Sequence, residues 1–130
     1  MNLRELMTLE NVGWKVTVPK EEIINGIEAI FFDDISYDLY DWHTVKTFSK
    51  YFKIENIGGW RLPTIEELKY IFKNGILKSI IERKRRTYWF WSDNEAANSK
   101  KAYVVSFPSV DVMDLNKYII DSKVKFMFVK

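Results

Sequence analysis

The segment Gly59-Trp60-Arg61-Leu62-Pro63-Thr64 restricts the local fold more than any other part of this 130-residue chain. Pro63 fixes its own φ and disfavours the helical conformation at Leu62, so the chain reaches Thr64 in an extended form. Thr64 and Glu67 have the spacing of a capping box, in which each side chain accepts a hydrogen bond from the other residue's backbone N–H. The segment therefore predicts an extended stretch that turns sharply into a helix.

Trp60 and Leu62 alternate with Arg61 in this extended stretch. Successive side chains of extended backbone point to opposite sides, so burial of Trp60 and Leu62 directs Arg61 the other way. The planar guanidinium can then brace the corner by donating to loop carbonyls or to a carboxylate. We interpret this as a structural motif, with contact to a ligand as the alternative. Its residues are Trp60, Arg61, Leu62, Pro63, Thr64 and Glu67.

Apolar periodicity predicts the elements on both sides of the motif. One apolar stripe predicts a helix over 42–53, capped by Asp41. A second stripe predicts a helix after Thr64 that ends near Asn74-Gly75. Aromatic and β-branched runs predict strands at 12–18, 27–32, 87–91, 103–107 and 124–129. Pro19 is expected to end the first strand, and a turn at Asn25-Gly26 to precede the second. Residues 108–121 are predicted to form a loop or hairpin.

Composition narrows the class of protein. With 47% hydrophobic and 16% aromatic residues, the chain can bury one core, which predicts a single α+β domain over 1–130 with two helices packed on antiparallel strands. The 20 basic and 18 acidic residues nearly balance, so bulk charge gives no support for nucleic-acid binding. The lack of cysteine excludes disulfides, thiolate nucleophiles and cysteine zinc sites.

The first residues bear on the compartment. Residues 1–7 include an acidic residue and lack the apolar run of a secretory signal. No window approaches the roughly 20 apolar residues of a membrane helix. We therefore expect a cytoplasmic protein without membrane insertion, and an exported protein is the alternative if a signal preceded residue 1.

The segment 59–68 closely resembles the signature of the Lcl C-terminal domain family, a family of unknown function in which a Trp-Arg-Leu-Pro segment opens a helix. The resemblance covers 28–130 and implies a C-type-lectin-like fold, similar to that of sulfatase-modifying enzymes. Those enzymes use cysteine, which this chain lacks, so their activity is not implied. Flanking similarities lie at 41–45, 88–92, 102–107 and 124–130, where Lys replaces Arg at both ends of the closing strand.

Few residues offer catalytic or metal-binding chemistry. His43 is the single histidine, and without cysteine or a second histidine it does not make a typical zinc site or a catalytic triad. Acidic residues at 33, 34, 38 and 41 are interpreted as a solvated loop. The basic run 83–86 before Tyr88 and Trp89 has the pattern of a phosphate contact, with a solvated helix end or loop as the preferred interpretation. The acidic residues are Asp33, Asp34, Asp38 and Asp41, and the basic run is Arg83-Lys84-Arg85-Arg86.

We expect a non-enzymatic binding module that recognises a protein or a glycan through two loops, 92–101 and 108–121. The polar run 92–95 offers the oxygen ligands that calcium prefers, but the sugar-binding Glu-Pro-Asn or Gln-Pro-Asp motif of lectins is missing, so an ordinary polar turn is preferred. No catalytic residue, metal ligand or cofactor is assigned. The candidate ligand-binding residues are Asp93, Asn94, Glu95, Asn98, Asp111 and Asp114.

Two other classes of function stay open. A hydrolase or modifying enzyme would use Asp93 and Glu95 as acid and base, and requires at least one strongly raised pKa in a pocket. A structural component of a phage or surface assembly would display a large exposed apolar patch or a stable oligomer. The sequence leaves the ligand and the oligomeric state unassigned.

Overall fold

A computed structural model describes residues 19–24, 26–32, 41–75, 77–121 and 123–130. The predicted strand at 12–18 and the carboxylates Asp33, Asp34 and Asp38 lie outside these residues. The elements mix helices with two sheets, so the chain has an α+β fold. In chain order they are β1 (Pro19–Ile24), β2 (Ile27–Phe32), α1 (Trp42–Tyr51), α2 (Ile65–Asn74), α3 (Leu77–Lys84), β3 (Tyr88–Glu95), β4 (Lys101–Phe107), β5 (Asp111–Asn116), β6 (Val124–Lys125) and β7 (Met127–Val129).

The strands form two sheets with the orders β1-β2-β7 and β5-β4-β3-β6. All neighbours are antiparallel except β3 and β6, which run parallel. The segment predicted as one strand over 124–129 is divided at Phe126, so that β6 joins one sheet and β7 joins the other. An isolated bridge between Arg61 and Val129 ties the motif to β7.

The first hairpin differs from the sequence prediction. We expected Pro19 to end a strand, but it begins β1, which pairs with β2 in the register Ile24↔Ile27. Gly26 has φ +87°, the left-handed conformation that a two-residue hairpin turn requires and glycine adopts without strain. Three charged residues in β1 obscure its alternation, and proline is tolerated at the first residue of an edge strand.

Helices cover both faces of the four-stranded sheet. Paired Trp91 and Val104 face α1, whereas paired Phe90 and Val105 face α2 and α3, because neighbouring strand residues point to opposite sides. We call the α1 side the first core cluster and the other side the second core cluster. Buried helix residues in the first are Trp42, Val45 and Phe48, and in the second Leu68, Ile71, Phe72, Leu77 and Ile81.

One helix was missing from the prediction, and the structure decides between the two alternatives given for 108–121. Two helices were expected, but the described residues contain a third, α3, whose short apolar stripe is Leu77, Ile80 and Ile81. The predicted loop or hairpin at 108–121 is a hairpin, in which β5 pairs with β4 along its whole length. None of the helices in the described ranges has the length and apolar character needed to cross a membrane.

Candidate functional site

The Gly59–Thr64 motif forms a strand-to-helix corner. Trp60 and Leu62 are buried at 7% and 1% exposure, whereas Arg61 is exposed on the opposite side. Thr64 is the N-cap of α2, and the capping box with Glu67 is present in both directions. The Glu67 Oε1 accepts from the Thr64 backbone N–H at 2.9 Å, and the Thr64 Oγ1 accepts from the Glu67 N–H at 3.2 Å. Two otherwise unpaired amides of the helix start are thereby satisfied.

Arg61 and Glu67 form a bidentate ion pair. The two guanidinium nitrogens donate to Glu67 Oε1 at 2.6 Å and to Oε2 at 2.8 Å. The hydrogen bonds from Arg61, followed by the bond from the Thr64 backbone, lower the pKa of the Glu67 carboxyl despite its partial burial. The same hydrogen bond raises the pKa of Arg61. Glu67 thus caps the helix and anchors the arginine, which is a structural task.

Strand β3 is attached to this corner. The Asp93 N–H donates to the Pro63 carbonyl at 2.8 Å, and the Ile65 N–H at the start of α2 donates to Asn94 Oδ1 at 2.9 Å. The β3–β4 register shifts between Trp91 and Glu95, which marks an irregularity in the strand at Asp93 and Asn94. Asn94, predicted as a ligand contact, therefore binds the first turn of α2.

A charged cluster surrounds Trp42 at the start of α1. We call it the Trp42 cluster, and it consists of Trp42, Lys46, Asp93, Glu95 and Lys117. Lys46 Nζ lies 3.3 Å from Asp93 Oδ1, and Lys117 Nζ lies 2.7 Å from Glu95 Oε2. Both ammonium groups also lie near the indole ring, at 4.7 Å and 4.5 Å from its centroid, within the range of cation–π attraction.

Hydrogen bonds fix the position of Trp42 and Lys117. The Trp42 backbone N–H donates to the Lys117 carbonyl at 3.0 Å, and the indole N–H donates to the Ser92 carbonyl at 2.9 Å. The Lys117 side chain is only 5% exposed, whereas its partner Glu95 is 49% exposed. The cluster therefore joins α1, β3 and the end of β5, and each of its four charges has an opposite partner.

Glu95 has the wrong electrostatics for a general acid. The hydrogen bond from Lys117, and then its positive charge, lower the pKa of the Glu95 carboxyl. A catalytic acid near neutral pH needs the opposite shift, which burial away from cations produces. Asp93 is likewise paired with a lysine, so the two carboxylates do not form the acid and base pair that the enzyme hypothesis requires.

The run 92–95 does not converge on a cation site. Asp93 and Glu95 are paired with Lys46 and Lys117, and the Asn94 side-chain oxygen accepts from the start of α2. Among the described residues, no group of three or more His, Cys, Asp or Glu side chains is arranged to hold a metal ion. The ordinary polar turn stays the preferred interpretation of this run, with calcium binding as the alternative.

The remaining predicted ligand residues lie in the β3–β4 turn and on β5. Asn98 is in the turn between β3 and β4, where its Oδ1 accepts from the Lys100 N–H at 3.0 Å. Asp111 and Asp114 are exposed residues of β5. The prediction of a loop over 92–101 was wrong for residues 92–95, which extend β3, whereas residues 111–116 form the second strand of the hairpin expected as one alternative for 108–121.

The sequence did not single out the apolar residues around β5. Val112 and Met113 are 40% and 43% exposed, and Tyr118 and Ile120 beyond the strand are more exposed still. Exposed large apolar side chains that lie together often mark an interaction surface. Because both faces of β5 are exposed, its residues do not alternate between apolar and polar, and the sequence shows no pattern that identifies this surface.

Two other sequence candidates are ordinary surface features. His43 is exposed beside the rings of Trp42 and Tyr118. The basic run 83–86 spans the end of α3 and an exposed turn with Arg85 at φ 51°. Tyr88 and Trp89 pack against the second and first core clusters, respectively, so they do not form a free stacking platform for bases.

A cleft of about 230 Å³ lies beside Trp60, at the three-stranded sheet. It is below the roughly 300–1,000 Å³ of typical ligand pockets, and none of the predicted ligand residues lines it. Its lining includes Trp60 and Glu28, and a Glu28 carboxylate oxygen lies 3.9 Å from Lys130 Nζ.

No protein-family model matches the chain, and a search of curated proteins finds no relative at a significant level of similarity.

Proposed function

We propose that this chain is a non-enzymatic binding module of the Lcl C-terminal domain family on a C-type-lectin-like scaffold. The support is the Trp-Arg-Leu-Pro corner at Gly59–Thr64, together with an α1 that starts at Trp42 and packs on antiparallel strands. The module recognises a protein or a glycan. Its ligand contacts the end of the four-stranded sheet that β5 and the adjoining turns form.

The observation that carries this proposal is the pair of carboxylates on β5. Asp111 and Asp114 are exposed, and neither forms an ion pair within the described residues, whereas Asp93 and Glu95 are paired with lysines. Exposed Val112 and Met113 lie between them. Polar groups free to accept hydrogen bonds beside apolar surface are the elements of a recognition site.

The electrostatics favour binding over hydrolysis. The enzyme alternative rests on Asp93 and Glu95, but both face lysines and the pKa of Glu95 is lowered. Neither carboxylate lines the cleft beside Trp60. The lowered pKa of Glu95 is opposite to the shift that a catalytic acid requires, and the cleft found among the described residues does not include either carboxylate.

The test is a binding screen of the purified chain against a glycan array and a random-peptide display library, each with and without calcium. Light scattering of the same sample gives the oligomeric state. We expect ligands to be enriched in at least one arm. Binding should fall in the double variant Asp111→Lys/Asp114→Lys, because reversing both charges changes the proposed surface without touching the core.

The control is a double charge reversal on another surface, Glu66→Lys/Glu82→Lys, at exposed positions of α2 and α3. This variant should retain the binding of the unmodified chain. If the unmodified chain binds no ligand more strongly than the Asp111→Lys/Asp114→Lys variant does, the proposed binding module is contradicted. If both double variants lose binding to the same extent, the placement of the binding site on β5 is contradicted.

A further inference from the structure

Among the described residues, β5 is an edge strand whose charged residues are two aspartates, and it has none of the lysine, proline or bulge that often blocks such an edge. It lies at the end of the order β5-β4-β3-β6, and among the described residues it pairs only with β4. All six of its residues are in register without a bulge. Its sequence, DVMDLN, has no lysine and no proline. Soluble proteins commonly block an exposed edge with such residues or with a bulge. The strand β1, in contrast, contains both a proline and a lysine.

The ladder determines which backbone groups face the open edge. The Lys117 N–H donates to the Lys100 carbonyl at 2.9 Å, in continuation of the β4–β5 register. In an antiparallel pair, alternate residues bond the same neighbour, so Met113 and Leu115 bond β4. Val112 and Asp114 then direct their N–H and C=O groups outward, where a further strand can pair with them.

The side chains of β5 define the chemistry of that further strand. Asp111 and Asp114 fall on opposite faces of the strand, and each lacks an ion-pair partner within the described residues. Val112 and Met113 add apolar surface to the two faces. A cross-strand partner is stabilised by opposite charge and by apolar contact, at roughly 0.2–1 kcal/mol for each pair. The edge therefore matches a strand with basic and apolar side chains.

We propose that the edge of β5, which is unpaired within the described residues, binds an extended peptide carrying lysine or arginine, which adds to the sheet as a fifth strand. This inference rests on the proposed binding function and specifies its ligand as a protein segment. The backbone ladder supplies affinity, and the carboxylates of Asp111 and Asp114 select for basic side chains. A second copy of the chain is a poorer match, since its β5 presents the same two carboxylates and no cation.

The first experiment measures binding of the labelled peptide Thr-Val-Lys-Val-Val-Lys, written to oppose Asn116 through Asp111 in antiparallel order. Fluorescence anisotropy should show saturable binding that weakens as salt is added, because the charges are exposed. The matched peptide with Glu in place of both Lys should bind at least about tenfold more weakly, since attraction becomes repulsion at two positions. Equal binding of both peptides overturns the proposal.

The second experiment locates the peptide by amide hydrogen exchange. Exchange at the Val112 and Asp114 N–H groups should slow when the lysine peptide is added, because these groups acquire acceptors. Amides of the edge strand β1 should not change. Protection at β1, or at a site away from β5, overturns the proposal.

Three variants separate backbone pairing from charge. Val112→Pro removes an outward N–H and should weaken peptide binding by about tenfold, whereas Val112→Thr keeps that N–H and should bind within about threefold of the unmodified chain. Asp111→Asn/Asp114→Asn should weaken binding by about threefold to tenfold. The asparagine variant tests the proposal independently if the proline variant does not fold.

The outcomes distinguish this inference from the broader proposal. If a glycan or another peptide binds and the β5 variants have no effect on it, the edge inference is wrong and the binding module stands. If the chain is a dimer whose β5 amides are protected without peptide, a second copy occupies the edge and the inference is wrong. If no ligand binds in any arm, both proposals fail.

Discussion

At the residue level, Glu67 combines two stabilising contacts in one carboxylate. It accepts from the Thr64 N–H as half of a capping box and from Arg61 as half of a bidentate ion pair. Glutamine can keep the first contact but not the charge of the second. The substitution Glu67→Gln therefore isolates the ion pair from the helix cap.

We expect Glu67→Gln to lower stability near neutral pH and to have progressively less effect in acid. The pKa of Glu67 is lowered on folding, so its stabilisation is fully present above the ordinary value of 4.5 and is lost as the pH falls through the folded value. Urea denaturation of both proteins across this range measures the difference. A difference that stays constant from neutral to strongly acidic pH contradicts a role for the Glu67 charge.

The ring of Trp60 is expected to contribute packing energy and a cation–π contact with Lys130 Nζ, which lies 5.4 Å from the ring centroid. Trp60 is 7% exposed and lies against Phe52, with ring centroids 6.3 Å apart, while its indole N–H has no hydrogen-bond partner among the described residues. Trp60→Ala should cost about 3–5 kcal/mol in urea denaturation, as large aromatic truncations do. Trp60→Phe should cost clearly less, because no hydrogen bond is lost. Similar costs for the two variants contradict this account.

The sequence predicted the residues of the corner better than those of the site. Pro63 and Thr64 act through backbone geometry and local hydrogen bonds, which depend on neighbours in sequence. The partners of Asn94 and Glu95 are Ile65 and Lys117, 29 and 22 residues away. The tertiary fold determines such pairs. From polarity alone, Asn94 and Glu95 were therefore predicted to be available for a ligand.

Among the elements, α1 and α2 were predictable because each presents a long apolar stripe with a capping residue. The helix α3 has only eight residues and three buried apolar side chains, too few for a clear period. The strand β5 was assigned to a loop or hairpin because its residues are exposed on both faces. A helix or strand shows a periodic apolar pattern in the sequence when one of its faces is buried and the other is exposed.

The junction between α2 and α3 gives a prediction for Gly75. A Cβ atom at Gly75 would lie 2.6 Å from Ile24 Cδ1 and 2.9 Å from the Ile71 carbonyl oxygen, so the Ile24 side chain and the last turn of α2 would have to shift. Gly75→Ala should therefore destabilise the protein by about 1–3 kcal/mol, as overpacking does. Chemical denaturation gives the value.

The matched control for that substitution is Gly58→Ala. A Cβ atom there meets Lys53 Cγ at 3.6 Å and the Phe52 carbonyl oxygen at 3.7 Å, which are ordinary van der Waals distances. We expect a change of less than about 0.5 kcal/mol, typical of surface substitutions away from special features. Equal destabilisation at the two glycines would show that close approach at the α2–α3 junction is not the cause.

For the whole molecule, the strands couple the two core clusters. Neighbouring residues of one strand enter different clusters: Ile30 and Phe31 in β2, and Val104 and Val105 in β4. The short strand β7 does the same, with Phe128 in the first cluster and Met127 and Val129 in the second. Loss of one cluster would expose one face of these strands, so neither face is expected to unfold alone.

This arrangement predicts a single cooperative unfolding transition. The tryptophans of the described residues lie in or against the first core cluster, so their fluorescence reports on that face of the sheet. The helices α2 and α3 pack on the second core cluster, and far-ultraviolet circular dichroism includes their signal. The two signals should give the same urea midpoint, as expected for a two-state domain. Ile71→Ala should move both midpoints down together, at a cost of about 2–5 kcal/mol, although Ile71 belongs only to the second cluster. A fluorescence midpoint that stays in place while the dichroism midpoint falls would show that the faces unfold separately.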